Sequence, residues 1–181
     1  YLSIYLSIYL SIYLSIYLIF PWKGGKAITK ECKEYLKERG EPDEWSVTAT
    51  GAGKLKNCLA VYHVISPNTG SGSSEEASPM VSLKTAYSRC FSMLEEQKFR
   101  SLALSCNRTL TTSHQVQTLA NFLREYFAFN TNSGINTVVF CDEREIASSF
   151  LNEYRASKIP WTCRMEGQLK HNTASYSIKP G

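Results

Sequence analysis

Residues 24–65 read GGKAITKECKEYLKERGEPDEWSVTATGAGKLKNCLAVYHVI, and this stretch contains the pattern that decides the fold. Over Lys26–Arg39 the apolar side chains recur at helical spacing, and Gly40 ends the predicted helix. Trp45–Thr50 is a short β-branched segment, and Cys58–Ile65 is a continuous apolar run typical of a buried strand. The stretch therefore predicts one helix followed by two strands.

The alternation of helix and strand patterns continues along the chain. The further helices are predicted over Val81–Lys98, His114–Phe129 and Asp142–Tyr154, and the further strands over Ser101–Cys106 and Ile135–Cys141. Strands that alternate with helices predict a layered α/β fold with a largely parallel sheet. In such sheets ligands bind at the carboxyl ends of the strands, near helix N-termini. Residues 161–181 show no clear period and are interpreted as a tail.

Charge and cysteine spacing exclude several classes of protein. The chain has 20 basic and 16 acidic side chains, a net charge of +4, and neither a basic run nor an acidic tail. This balance argues against a protein built mainly to bind nucleic acid. The apolar content of 43% argues against a disordered chain. The 6 cysteines form no CxxC or His/Cys cluster, so no metal site is predicted, and their apolar surroundings favour buried free thiols over disulfides.

Residues 1–18 repeat the tetrapeptide Tyr-Leu-Ser-Ile, and the first Met of the chain is Met80. The DNA unit TATC, read in triplets, encodes this tetrapeptide. We therefore interpret residues 1–20 as a translated microsatellite at the start of an incomplete reading of the gene. Two alternatives stay open. The segment carries no charge and is long enough for a membrane anchor, and its alternation of Tyr and Ser with Leu and Ile also suits a β-strand.

Three motifs in order resemble the macrodomain family: Gly24–Ile28, Val47–Leu55 and Val61–Pro67. Family members typically read Gly-Gly-Val-Ala-x-Ala-Ile, then Thr-x-Ala-Gly-x-Leu, then Ile-His-x-Val-x-Pro. Ser101–Leu104 and Val138–Asp142 are similar to two later strands of the same family. The resemblance covers roughly residues 24–155, and its spacing is closest to macrodomains of the multi-macrodomain poly(ADP-ribose) polymerases.

The resemblance implies a three-layer α/β/α fold with a mostly parallel mixed sheet, which binds ADP-ribose free or attached to protein. The macrodomain-like domain is assigned to residues 21–158, between the repeat at 1–20 and a tail or linker at 159–181. Backbone N–H groups of glycine-rich loops at helix N-termini hold the diphosphate in this family. The residues assigned to such loops are Gly24 and Gly25 in the first, and Asn107, Arg108, Thr109 and Leu110 in the second.

The chain departs from the family pattern in three places. The family's two opening strands precede the glycine loop, and the repeat stands in their place here, so the adenine-binding Asp and the distal-ribose Asn have no counterpart. The first loop is about two residues short. Arg108 and Leu110 stand where the family has glycines, and side chains there block close backbone approach. The sheet would lack its central strand unless part of the repeat, such as Ile16–Phe20, fills that position.

These departures predict a binding module with weakened or lost affinity for ADP-ribose. The alternatives are an ADP-ribosyl hydrolase or a fragment of a poly(ADP-ribose) polymerase, and a structural remnant that binds nothing. No catalytic residue and no cofactor are predicted, because His63 is expected in the core and Asp142, Glu143 and Glu145 are expected as first-turn helix acids. The expected partners are ADP-ribose or ADP-ribosylated proteins in the cytoplasm or nucleus, with no membrane contact unless residues 1–20 form an anchor.

Overall fold

The computed structural model describes residues 7–9, 24–56, 58–65, 79–104, 112–156, 161–169 and 173–180. The elements in chain order are β1 (Ser7–Tyr9), α1 (Lys26–Arg39), β2 (Val47–Gly51), β3 (Ala60–Val64), α2 (Pro79–Glu96), β4 (Ser101–Leu104), α3 (Thr112–Phe129), β5 (Thr137–Glu143), α4 (Arg144–Ala156), β6 (Trp161–Leu169) and β7 (Thr173–Pro180). From α1 to α4, every predicted helix and strand is confirmed in type. Their ends lie within about two residues of expectation wherever the chain is described.

The strands form one mixed sheet in the order β2-β3-β1-β4-β5-β7-β6. The four central strands β3, β1, β4 and β5 run parallel, whereas β2 and the pair β7-β6 add antiparallel strands at the two edges. The expectation of a mostly parallel sheet is thus corrected at both edges. The reason is chain connectivity, because the short connections from β2 to β3 and from β6 to β7 can join only antiparallel neighbours.

The position between β3 and β4 in the sheet is occupied by Ser7–Tyr9, which belong to the repeat. Ile8 pairs with Tyr62 of β3 on one side and with Leu104 of β4 on the other. The repeat thus supplies an interior strand, as the sequence allowed, but with other residues than expected. Both neighbouring strands carry backbone groups that need a partner, and the alternating repeat supplies one. Ile16–Phe20, the segment expected to take this position, lie outside the described residues.

A C-terminal hairpin stands where the sequence predicted an irregular tail. Cys163 of β6 pairs with Ile178 of β7, and β7 pairs antiparallel with β5 along Val138–Glu143. A signal for β7 was available, because Ala174, Tyr176 and Ile178 alternate with polar residues at the period of a strand. The predicted domain boundary near residue 158 stays a prediction, although the sheet continues beyond it.

Helices cover both faces of the sheet in the described part of the chain. Tyr62 and Val64 point into the main core, which contains side chains from α2, α3 and α4. Val61, the residue before Tyr62, points to the other face and packs against Ile28 of α1. Edge-to-face aromatic contacts join α2 to α3, with the centroid of Phe91 5.0 Å from that of Phe122. This arrangement agrees with an α/β fold that has helices on both faces of the sheet.

Candidate functional site

The edge of the sheet where the central parallel strands end is the candidate ligand-binding side of the molecule. Helices α2, α3 and α4 follow β3, β4 and β5 along the chain, so their N-termini lie at this edge. The first N–H groups of a helix have no partner within the helix and attract anions. The fold therefore presents three helix N-termini at the ends of adjacent parallel strands.

The N-terminus of α3 combines a place beside the middle strands of the sheet with a first turn free of acids, a feature that α2 shares and α4 lacks. It follows β4, whose last residue Leu104 pairs with Ile8 in the middle of the sheet. The first turn of α3 contains no acidic residue, and Ser113 and His114 are exposed there. In α4, by contrast, Glu145 lies in the first turn and its negative charge competes with an anionic ligand. The segment joining β4 to α3 is thus the best candidate phosphate loop.

Four predicted site residues fall in that connection. Asn107, Arg108, Thr109 and Leu110 lie between the end of β4 and the start of α3, outside the described residues. The described residues on either side place the two ends of this loop where the prediction requires them. The assignment of the four residues to ligand binding stays a prediction.

Gly24 and Gly25 lie near the edge of the sheet where the parallel strands begin, opposite the edge where β4 ends, and their assignment to ligand binding stays a prediction. Gly51 pairs with Ala60, the first residue of β3, so the turn after β2 lies where the parallel strands begin. The backbone N–H of Lys54 in that turn donates to the carbonyl oxygen of Gly24 at 2.8 Å. Among the described residues, Gly24 and Gly25 thus adjoin the turn after β2 and not the end of β4. A glycine pair before a helix also serves close packing.

The glycines around the N-terminus of α1 have a clear packing role. Gly53 has a φ of 58°, and a Cβ atom there would lie 2.2 Å from the carbonyl oxygen of Gly24. Gly25 precedes α1 with a φ of 75° and no side-chain cap. The N–H of Gly51 donates to the Glu31 carboxylate at 2.7 Å, which fastens α1 to the end of β2. Only residues without side chains allow the two chain segments to approach this closely.

The comparison with protein families agrees with this architecture. The Macro domain family model matches residues 16–109, a stretch that runs from the repeat through α1 to the start of the second predicted loop. The chain belongs to the Macro domain family. No curated protein matches the chain in sequence.

Solved macrodomain structures share the fold at low sequence identity. An Oceanobacillus iheyensis macrodomain point mutant superposes with a TM-score of 0.70 at 13% identity, covering 85% of each chain. A glycine-to-valine mutant of the same macrodomain with ADPR gives a TM-score of 0.62 at 13% identity, covering 84% of this chain and 83% of that one. The macro domain of ganglioside induced differentiation associated protein 2 gives 0.61 at 14% identity, covering 81% and 74%. At this identity, the likeness establishes the fold.

His63 of this macrodomain is a core residue, as the sequence predicted. Its side chain is 6% exposed, and its Nε2 lies 3.0 Å from the Thr50 hydroxyl. Burial lowers the pKa of His63 to about 4, with the nearby Glu31 carboxylate opposing the shift. The imidazole is therefore neutral at pH 7, hydrogen-bonded within the sheet.

The predicted first-turn acids of α4 are confirmed only in part. Glu145 lies in the first turn of α4, as expected. Asp142 and Glu143 instead end strand β5, and Asp142 is 5% exposed. The β-branched and aromatic run before them extends the strand by two residues, and α4 begins only at Arg144.

The cysteines that the structure describes fit the prediction of free thiols. Cys32, Cys58 and Cys90 form no disulfide, and burial raises the pKa of the Cys32 and Cys90 thiols above its usual value. Such thiols stay protonated and are poor nucleophiles. Within the described ranges no group of three metal-ligating side chains occurs, and no helix combines the length and apolarity needed to cross a bilayer.

Proposed function

We propose that this macrodomain is a binding module for ADP-ribose, free or attached to protein, and that the ligand occupies the edge where β1 and β4 end. The observation that carries the proposal is the position of the α3 N-terminus, which follows the central strand β4 and has no acidic residue in its first turn. Such a helix end favours a diphosphate through its free N–H groups and its dipole. The macrodomain solved with ADPR shows that the fold accepts this ligand class.

The loop residues 107–110 are proposed to set a weakened affinity. Asn107 and Thr109 offer polar side chains to phosphate oxygens, and Arg108 offers a cation. Arg108 and Leu110 also replace the glycines of the family pattern, so the backbone cannot approach the diphosphate as closely. Gly24 and Gly25 are left out of the proposed site, because they lie at the other edge of the sheet.

The proposal extends to the kind of parent protein. The spacing of helices and strands between residues 24 and 142 supports a relation to the macrodomains of multi-macrodomain poly(ADP-ribose) polymerases. Under this proposal the chain recognises ADP-ribose, and any transferase chemistry belongs to another domain of the parent protein. A macrodomain remnant that binds nothing is the competing outcome.

The test is thermal unfolding of the full chain with ADP-ribose, with adenosine as the matched ligand that lacks the diphosphate. ADP-ribose at a hundred times its Kd adds about 2.7 kcal/mol to the free energy of unfolding, whereas adenosine leaves the midpoint unchanged. Arg108→Gly relieves the crowding of the loop and is expected to change the Kd at least several-fold. Arg89→Gln, a substitution at an exposed position of α2, serves as the control. If ADP-ribose does not move the midpoint of thermal unfolding, the chain is a macrodomain remnant that binds nothing.

A further inference from the structure

Helix α1 carries a line of lysines on its outer surface. Lys26, Lys30, Lys33 and Lys37 are all exposed, and at 3.6 residues per turn they fall within about 60° of one another around the helix axis. The line, here called the lysine ridge, lies opposite Ile28, which α1 buries against Val61. In the linear sequence the four lysines are separated by two or three other residues, and the period of the helix brings them onto one side.

The acidic residues of α1 lie to one side of the ridge. Glu31 faces β2, where its carboxylate accepts the N–H of Gly51. Glu34 reaches Lys30 at 3.6 Å, but both side chains are largely exposed, at 55% and 76%. An exposed pair of this kind contributes little to stability and opens easily for another anion. The charges of α1 are therefore segregated, with the lysines along the lysine ridge and the glutamates beside it.

The N-terminal end of the ridge carries cations where a helix normally prefers acids. The first turn of α1 contains no acidic residue, the helix has no side-chain cap, and it begins with Lys26. Lys54 lies alongside, since its Cδ would be 3.0 Å from a Cβ atom on Gly25. Lysines next to the positive end of the helix dipole are mutually unfavourable unless an anion is bound between them. Lys37 and Arg39, in the last turn, by contrast complement the dipole.

We propose that the lysine ridge binds the phosphate backbone of single-stranded nucleic acid. From Lys26 to Lys37 the helix rises about 16 Å, so the four lysines are spread along a line that a polyanionic backbone can follow. A rigid line of ammonium groups matches a linear polyanion better than it matches a compact one. The ridge lies on α1, which packs on the opposite face of the sheet from α3, so this surface is separate from the proposed ADP-ribose site and does not depend on it.

The test is fluorescence anisotropy of a labelled oligouridylate of about 16 nucleotides with the full chain, at several salt concentrations. The ridge variant combines Lys30→Gln, Lys33→Gln and Lys37→Gln, which keep helix propensity and remove three charges. The matched control combines Arg89→Gln, Arg100→Gln and Arg124→Gln, exposed residues outside α1. We expect the ridge variant to weaken binding at least tenfold and to reduce the slope of log K against log salt by about 2.

The control variant is expected to weaken binding less than threefold, and saturating ADP-ribose is expected to leave the oligonucleotide bound. Equal loss in both variants, displacement by ADP-ribose, or no binding by the original chain would overturn the proposal. The Kd for ADP-ribose of the ridge variant, measured in parallel, should match that of the original chain. Oligonucleotide binding without any ADP-ribose binding would refute the proposed function and leave this inference standing.

Discussion

Gly53 is the position where adding a single methyl group should lower the free energy of unfolding most. Its φ of 58° disfavours any side chain, and a Cβ atom would meet the backbone of Gly24 at 2.2 Å. We expect Gly53→Ala to lower the free energy of unfolding by about 2–4 kcal/mol. Gly40→Ala is the matched control, since Gly40 has a φ of 76° but nothing within 4 Å of a Cβ atom. That change should cost about 1–2 kcal/mol in urea denaturation.

Comparable losses in the two glycine variants would contradict the close packing of Gly53 against Gly24. The comparison tests that packing, because both substitutions place alanine at a positive φ, whereas only at Gly53 does a Cβ atom meet a neighbouring backbone.

His63 should make the protein less stable as the pH falls. Its pKa is about 4 when folded, against 6.5 for the exposed group, so below pH 6.5 the unfolded chain binds a proton that the folded chain does not. Stability is fully present above pH 6.5 and declines down to about pH 4, by about 3 kcal/mol. His63→Gln keeps a partner for Thr50 and removes this titration. If the variant and the original chain lose stability equally between pH 6.5 and 4, the prediction fails.

At the scale of elements, Glu95 ties the end of α2 to α3 and to the turn before β5. Its carboxylate accepts from the Tyr126 hydroxyl at 2.8 Å, from the Ser133 hydroxyl, and from the Gly134 N–H at 3.3 Å. These hydrogen bonds, with that of Ser133 the largest contributor, lower the pKa of Glu95. Glu95→Gln is expected to cost about 1–2 kcal/mol. Glu96→Gln, on the exposed side of the same turn, should change the unfolding midpoint little; equal effects would refute the role of Glu95.

Strand β1 should tolerate a proline substitution in one copy of the repeat but not in all copies. The tripeptide Ser-Ile-Tyr of β1 recurs at residues 3–5, 11–13 and 15–17, and a slip of four residues keeps every side chain on its face. Ile8→Pro alone should lower Tm only slightly, because another copy can pair with β3 and β4. Proline at Ile4, Ile8, Ile12 and Ile16 together should abolish cooperative unfolding, whereas valine at these positions should not. If Ile8→Pro alone abolished cooperative unfolding, β1 would pair with β3 and β4 in a single register.

At the scale of the whole molecule, the C-terminal hairpin completes the sheet beside β5. Deleting residues 159–181 exposes the edge of β5 and removes the β7 pairing along Val138–Glu143. We expect a lower Tm and concentration-dependent light scattering, because an uncovered strand edge pairs with other copies. A truncated chain with unchanged Tm and no scattering would support the predicted boundary at residue 158 instead.

The candidate site could be predicted from the sequence only in part. The strand–loop–helix order around residues 105–111 follows from local patterns, and so does the anion-binding potential of the α3 N-terminus. The position of Gly24 and Gly25 could not be derived in this way. A glycine pair before a helix has the same local appearance at either edge of a sheet. Its contact with Lys54 depends on how β2 pairs with β3.

The sequence by itself determined the helices and strands from α1 to α4, because their apolar periods reflect interactions within a few residues. The tertiary structure decided which segment fills the position between β3 and β4, how the edges pair, and that Gly24 meets the turn containing Gly53 and Lys54. Pairing of β1 with β3 and β4 joins residues far apart in the chain. Such choices depend on which unpaired backbone and apolar surfaces remain once the local elements have formed, and no local pattern encodes them.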